Sequence, residues 1–142
     1  MSACVGGPTS LGRWPLARGE ALHTHTFLGH PGSCRAALAS LAELRERGLP
    51  QRATALGAMA QDVLADAKAV EVRGKGLMIG IELESAGRAQ KVVEQALQAG
   101  VLLLPCGDDG TVLSVTPPLV IEEADLVDAL NVVKQCLITT TR

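Results

Sequence analysis

The stretch His23-Thr24-His25-Thr26-Phe27-Leu28-Gly29-His30-Pro31 most constrains what this chain can fold into, because the sequence follows different rules on its two sides. Before it the chain is rich in Gly and Pro and holds one short apolar run, Ser2-Ala3-Cys4-Val5. That run predicts a short strand, and Gly6-Gly7-Pro8 forbids its continuation. The residues through Trp14-Pro15 show no clean period. A lone strand neither satisfies its own backbone nor buries both faces, so it calls for a sheet that this part of the chain does not supply. Beyond Pro31 the pattern alternates helices and strands, as a compact domain does.

Pro31 suits a first helical position and Gly48 a left-handed stop, which predicts a helix over 31–47. Its stripe is Cys34, Leu38, Leu41 and Arg45, widened by Ala37 and Leu44. A second helix follows Pro50, with Leu56, Met59, Ala60, Val63 and Ala67 on one face. Residues 69–83 predict two strands around Arg73-Gly74-Lys75-Gly76. In the second, Leu77, Ile79, Ile81 and Leu83 point one way and Met78, Gly80 and Glu82 the other. Gly80 in mid-strand predicts a helix or another backbone close against its face. Ser85 caps a helix with the stripe Ala89, Val92, Val93, Ala96 and Leu97, stopped by Gly100. Residues 101–104 predict a buried strand, Gly107-Asp108-Asp109-Gly110 a hairpin turn, and residues 111–116 the partner strand, ended by Pro117-Pro118. Glu122-Glu123 open a last helix with Leu126, Leu130, Val133 and Leu137 inward. The fold class is therefore α/β, helices packed on a small, mostly antiparallel sheet.

Composition sharpens this. At 142 residues the chain can build one domain with a real core, and Trp14 and Phe27 are its only aromatics, so that core is aliphatic. With 47% apolar and 20% charged residues it is a globular chain. A net charge of −2 with interspersed signs argues against nucleic-acid and polybasic membrane partners. No apolar run has the length of a bilayer span and no leader pattern stands at the N-terminus, so a cytoplasmic location is expected. Cys4, Cys34, Cys106 and Cys136 are widely spaced and predict free, partly buried thiols. His23 and His25 could chelate from one strand face, with His30 near. No carboxylate or Cys stands at ligand spacing, so no metal is expected. Arg73-Gly74-Lys75-Gly76 lacks nucleotide-loop spacing and precedes a strand, which makes it a structural turn.

Three separated motifs, in order, carry a family likeness. They are the Thr-Phe-x-Gly-x-Pro turn at 26–31 opening an Ala-rich helix, the run Arg73-Gly74-Lys75-Gly76-Leu77-Met78-Ile79-Gly80-Ile81-Glu82, and Val112-Leu113-Ser114-Val115-Thr116-Pro117-Pro118-Leu119. Together they resemble the class III pyridoxal-phosphate-dependent aminotransferases, the group that includes acetylornithine, ornithine and 4-aminobutyrate transaminases. The likeness covers the whole chain. It implies the small C-terminal domain of a fold type I enzyme at 31–142, with residues 1–30 a remnant of the large cofactor-binding domain. The implied cofactor is pyridoxal phosphate, shared across a dimer, and the Thr26 hydroxyl would reach the cofactor phosphate of the neighbouring subunit. On local sequence alone Thr26 is the more readily read as fixing the turn, since Ser and Thr at helix entries mostly cap; the likeness reverses this in favour of the phosphate.

The same likeness shows what is missing. Transamination needs a Schiff-base lysine. Lys68 closes a helix, Lys75 sits in a turn, and Lys91 and Lys134 lie on polar helix faces, so none matches it. The family's lysine would fall several residues before Ser2 and its pyridine-nitrogen Asp further upstream, so no catalytic residue is expected here. The chain alone should be inactive and should not hold the cofactor, and Met1 would be an internal Met of a longer enzyme. Ser114 stands where many members carry an Arg that clamps the substrate carboxylate; it marks either a tolerant strand position or an altered substrate class. Leu28 and His30 depart from the commoner Thr-Phe-Gly-Gly-Asn-Pro turn. The implied parent reaction moves an amino group between an amine or amino acid and a 2-oxo acid, with a second copy or the missing catalytic half as partner. The alternative is a non-enzymatic interaction module that pairs with a partner or a full-length paralogue.

Overall fold

A computed structural model of the chain describes residues 7–11, 26, 27 and 29–140. They fall in two compact units, residues 1–47 and 48–142. The strand predicted at Ser2-Ala3-Cys4-Val5 and the residues His23 and His25 lie outside the described residues. No helix among the described residues is long and apolar enough to cross a membrane.

The first unit holds a single helical turn, α1 (Pro8–Leu11), and the long helix α2 (Pro31–Glu46). α2 starts and stops where the Pro31 and Gly48 signals place it. Its apolar stripe, however, is not buried: Leu38 is 62% and Leu41 40% exposed, and no α2 residue belongs to a core among the described residues.

The second unit runs α3 (Leu49–Leu64), β1 (Glu71–Lys75), β2 (Met78–Glu82), α4 (Ala86–Gln98), β3 (Leu104–Cys106), β4 (Val112–Val115) and α5 (Glu123–Thr139). The strands form one antiparallel sheet in the order β1-β2-β4-β3. Ser85 caps α4 as its position demands, its hydroxyl accepting the Arg88 N–H at 3.3 Å. The core is aliphatic. Leu77 of the hairpin turn, Ile79 and Ile81 of β2 and Leu83 just beyond it meet Leu113 and Val115 of β4 and the inner faces of α3, α4 and α5. Every helix of this unit thus contributes to one side of the sheet, and Glu71, Arg73, Met78 and Leu104 stand exposed on the other.

Five expectations need correction. The turn between β1 and β2 is Gly76-Leu77 alone, because β1 continues to Lys75, which pairs with Met78. Gly76 has φ +55°, the conformation that a two-residue hairpin loop of this kind requires at its first position. Gly80 is not approached by a helix or by backbone: a Cβ there would meet the Val112 Cγ1 at 3.1 Å, with the nearest backbone oxygen 4.0 Å away. The close approach is at Gly57 of α3, where a Cβ would lie 2.5 Å from the Gly76 carbonyl carbon. For that reason α3 buries Ala53, Leu56, Gly57, Ala60 and Leu64, and Met59 and Val63 fall to the flank. Residues 101–104 are not a buried strand. β3 begins only at Leu104 on the sheet edge; Leu103 enters the core while Leu102 and Leu104 are 75% and 63% exposed. Leu97, expected inward on α4, is 59% exposed.

Polar staples tie the layers. Arg52 of α3 donates to the carbonyls of Leu119 (2.8 Å) and Ile121 (2.5 Å), fixing the loop after Pro117-Pro118. Arg88 donates to the Lys68 and Leu137 carbonyls at 2.5 and 2.9 Å and pairs with Glu84 at 2.5 Å. Lys134 pairs with Asp66 and donates to the Val63 carbonyl at 3.2 Å, closing the end of α3. The Lys134 hydrogen bond holds the Asp66 carboxyl below its ordinary range, and the Arg88 hydrogen bond does the same for Glu84. A carboxyl whose folded-state titration is depressed stabilises the fold above its unfolded value, about pH 4, and loses that contribution as pH falls through the lower folded value. Denaturant titrations between pH 7 and pH 2 should therefore show a shallower acid limb in Asp66→Asn and Glu84→Gln than in the parent chain. Identical limbs would show that neither pair stabilises the fold.

Candidate functional site

In the first unit the turn before α2 is tight. The His30 N–H donates to the Phe27 carbonyl at 3.1 Å, and Gly29 has φ +70°. Thr26 and Phe27 are both exposed on it. His30 is the N-cap: its Nδ1 accepts the Ser33 N–H at 3.2 Å and its ring meets Phe27 edge-on, with centroids 6.0 Å apart. Caps are normally Ser, Thr, Asp or Asn, so the sequence offered no strong sign of this role. Among the described residues no cluster of His, Cys, Asp and Glu is placed to hold a metal ion. Thr26 thus presents a hydroxyl beside a left-handed Gly and the start of a long helix, a setting that suits a phosphate oxygen.

In the second unit Ser114 sits in β4 between Leu113 and Val115, both buried, so alternation directs it to the face away from the core. Its register partners are Gly80 on β2 and Leu104 on β3. It also lines a cavity of about 410 Å³ together with Val101, Leu103, Val115, Pro118, Leu130 and Val133. Ser114 and Thr116 are the only hydroxyl-bearing residues of that lining. Arg73, one strand beyond Gly80, pairs with Glu71 at 2.6 Å and with Glu82. The Glu82 and Glu71 hydrogen bonds raise its already high proton affinity, so the guanidinium is permanently charged. Thr26 and Ser114 belong to different units and form no single site within either one.

None of the lysines is placed as a buried nucleophile. Lys68, Lys75 and Lys91 are exposed, and Lys134 is committed to Asp66 and the Val63 carbonyl. The described residues therefore fit the phosphate end of pyridoxal phosphate and not its aldehyde end.

Residues 2–137 match the family model described as aminotransferase class-III. The chain belongs to the class III aminotransferases. Its similarity to an acetylornithine aminotransferase of Methanosarcina mazei is 38% identity over 95% of this chain and 35% of that protein. To a 4-aminobutyrate aminotransferase of Mycobacterium leprae it is 36% over 79% and 28%. A solved ornithine aminotransferase from Toxoplasma gondii superposes with a TM-score of 0.77 at 31% identity, covering 88% of this chain and 30% of that one. The chain thus spans roughly a third of the length of the relatives it matches.

Within this aminotransferase chain, three structurally decisive side chains escaped sequence reasoning: Arg52, Arg88 and Lys134. Each donates to backbone carbonyls far away in sequence. Such contacts leave no periodic trace, since any exposed helix position tolerates Arg or Lys equally well.

Proposed function

We propose that this chain is the C-terminal portion of a class III aminotransferase that moves an amino group between an amine or amino acid and a 2-oxo acid. The match over residues 2–137 carries this reading, together with the partial coverage of every relative described above. In it, residues 1–30 belong to the large domain and 31–142 form the small one. Thr26 donates its hydroxyl to the cofactor phosphate of a second subunit, and Ser114 faces the substrate. The lysine that carries the cofactor and the carboxylate on its pyridine nitrogen come from a preceding portion, so the chain alone is inactive. Bound pyridoxal phosphate supplies the electron sink for the transfer. The working compartment is the cytoplasm.

The contribution of Thr26 is small in isolation and measurable in context. A hydroxyl contributes on the order of 1 kcal/mol to a neutral contact and somewhat more to an anion. That is too little to capture the cofactor unaided, yet enough to change affinity about tenfold in a formed pocket. The experiment joins this chain to the remaining two thirds of an acetylornithine aminotransferase and measures visible cofactor absorbance. The isolated chain is expected to be colourless, and borohydride reduction followed by peptide mapping should find no stoichiometric adduct on Lys68, Lys75, Lys91 or Lys134. The joined protein should bind cofactor, with Thr26→Ala about tenfold weaker. Equal affinity in the two would remove Thr26 from the site, and a single stoichiometric lysine adduct in the isolated chain would overturn the division of labour.

A further inference from the structure

The cap of α2 is a histidine, and that choice ties the turn before the helix to pH. We propose that His30 is a proton-controlled lock: its neutral ring holds the turn that carries Thr26 onto α2, and protonation releases it. The lock goes beyond the reading of Thr26 as a phosphate ligand and does not depend on it.

One residue joins the turn to the helix through both its backbone and its ring. The His30 N–H donates to the Phe27 carbonyl at 3.1 Å, and the His30 carbonyl accepts the Cys34 N–H at 2.9 Å. The ring stands across the helix end. Its Nδ1 accepts the Ser33 N–H at 3.2 Å and lies 3.2 Å from the Ser33 Oγ, while its plane meets the Phe27 ring at 88°. Gly32 leaves the room for this arrangement. A Cβ there would lie 3.1 Å from the ring Cε1 and 3.5 Å from Nδ1.

An Nδ1 that accepts carries a lone pair, so the single proton of the neutral ring is on Nε2. A second proton therefore goes to Nδ1. That nitrogen then becomes a donor facing a donor, and the Ser33 N–H loses its acceptor. The Ser33 hydroxyl can turn to accept from the protonated ring, which leaves the backbone N–H unserved all the same. The new charge adds to the effect, because a cation at a helix N-terminus opposes the helix dipole.

Among the described residues no carboxylate offsets that cation. The first turn of α2 holds no acid, Thr26, Phe27 and Gly29 are uncharged, and α1 carries no titratable side chain. The next titratable residues along α2 are Cys34 and Arg35, and its first acid, Glu43, stands about three turns further on. An Asn cap keeps one state between about pH 8 and pH 5, whereas histidine is the side chain that changes charge there. His30 is exposed, so protons reach the ring without any opening of the fold. The lock is closed where the ring is neutral and opens as pH falls.

The test follows the full chain, without cofactor, by proton and ¹⁵N NMR from about pH 8 to about pH 5. At the upper end the His30 ring should be the Nε2–H tautomer and show a cross-relaxation peak to the Phe27 ring. At the lower end that peak should be lost. His30→Asn, which caps without titrating, and His30→Ala, which does not cap, set the two ends of a scale for the Ser33 amide. In the parent chain that amide should travel from the Asn-variant position to the Ala-variant position as pH falls, while neither variant moves. A Ser33 shift retained in His30→Asn would assign the effect to His23 or His25 and overturn the proposal. So would an Nδ1–H ring at the upper end, or a Phe27–His30 peak that persists in acid. No cofactor enters this experiment, so its failure leaves the phosphate role of Thr26 untouched, and a failure of that role leaves the lock unchanged.

Discussion

Gly57→Ala should destabilise the 48–142 unit by about 2 kcal/mol net, read as a lower urea midpoint at unchanged slope. Alanine is ordinarily the better helix residue, by about 1 kcal/mol. Here its methyl would stand 2.5 Å from the Gly76 carbonyl carbon and 2.7 Å from its Cα, and closer still to the oxygen. Those are backbone atoms of a hairpin loop whose own conformation requires Gly76, so neither side can yield by a rotamer change. Relief requires α3 to lift from the hairpin, which loosens the packing of Leu56, Ala60 and Leu64 against Leu77 and Ile79. The overpacking term is therefore set at about 3 kcal/mol, the upper part of its usual range. Gly87→Ala is the internal control. A Cβ at Gly87 in α4 meets nothing within 4 Å, so the same substitution should stabilise by about 0.5 kcal/mol. A Gly57→Ala variant as stable as the parent would show that the helix and hairpin are not in this contact.

In the enzyme completed with its catalytic portion, Ser114→Arg should lower KM for carboxylate-bearing amino donors by roughly tenfold to a hundredfold, the scale of one charge-assisted pair. The structure supplies the room. Position 114 is half-buried, its neighbour across β2 is Gly80, and its partner across β3 is the exposed Leu104. An arginine there would extend over Gly80 toward the face that Arg73 occupies, with Glu82 close by on β2 to limit the repulsion between the two cations. The gain should be confined to acids: an uncharged amine should show no fall in KM, or a rise. If carboxylate donors gained nothing from Ser114→Arg, Ser114 would not face the substrate.

Much of the fold was legible in the sequence, for a common reason. Pro31, Gly48, Ser85 and Gly100 mark helix ends through local stereochemistry, which acts within a turn or two and leaves its residue types at fixed offsets. The alternation Leu77, Ile79, Ile81, Leu83 likewise determined which face of β2 is buried, because a strand has a period of two whatever it packs on. The family was legible from three motifs.

Only the tertiary structure decided the rest. Whether an apolar run is interior depends on strand order, and residues 101–104 led to an edge strand that keeps one leucine inside and puts its neighbours out. Two mid-element glycines look alike in sequence, yet Gly57 is crossed by the backbone of a hairpin turn and Gly80 meets only the Val112 side chain, a difference set by residues far along the chain. The same holds for Arg73. Its charge was evident from the start, but its place in a row with Gly80 and Ser114 exists only because β4 inserts beside β2, a pairing no local signal encodes.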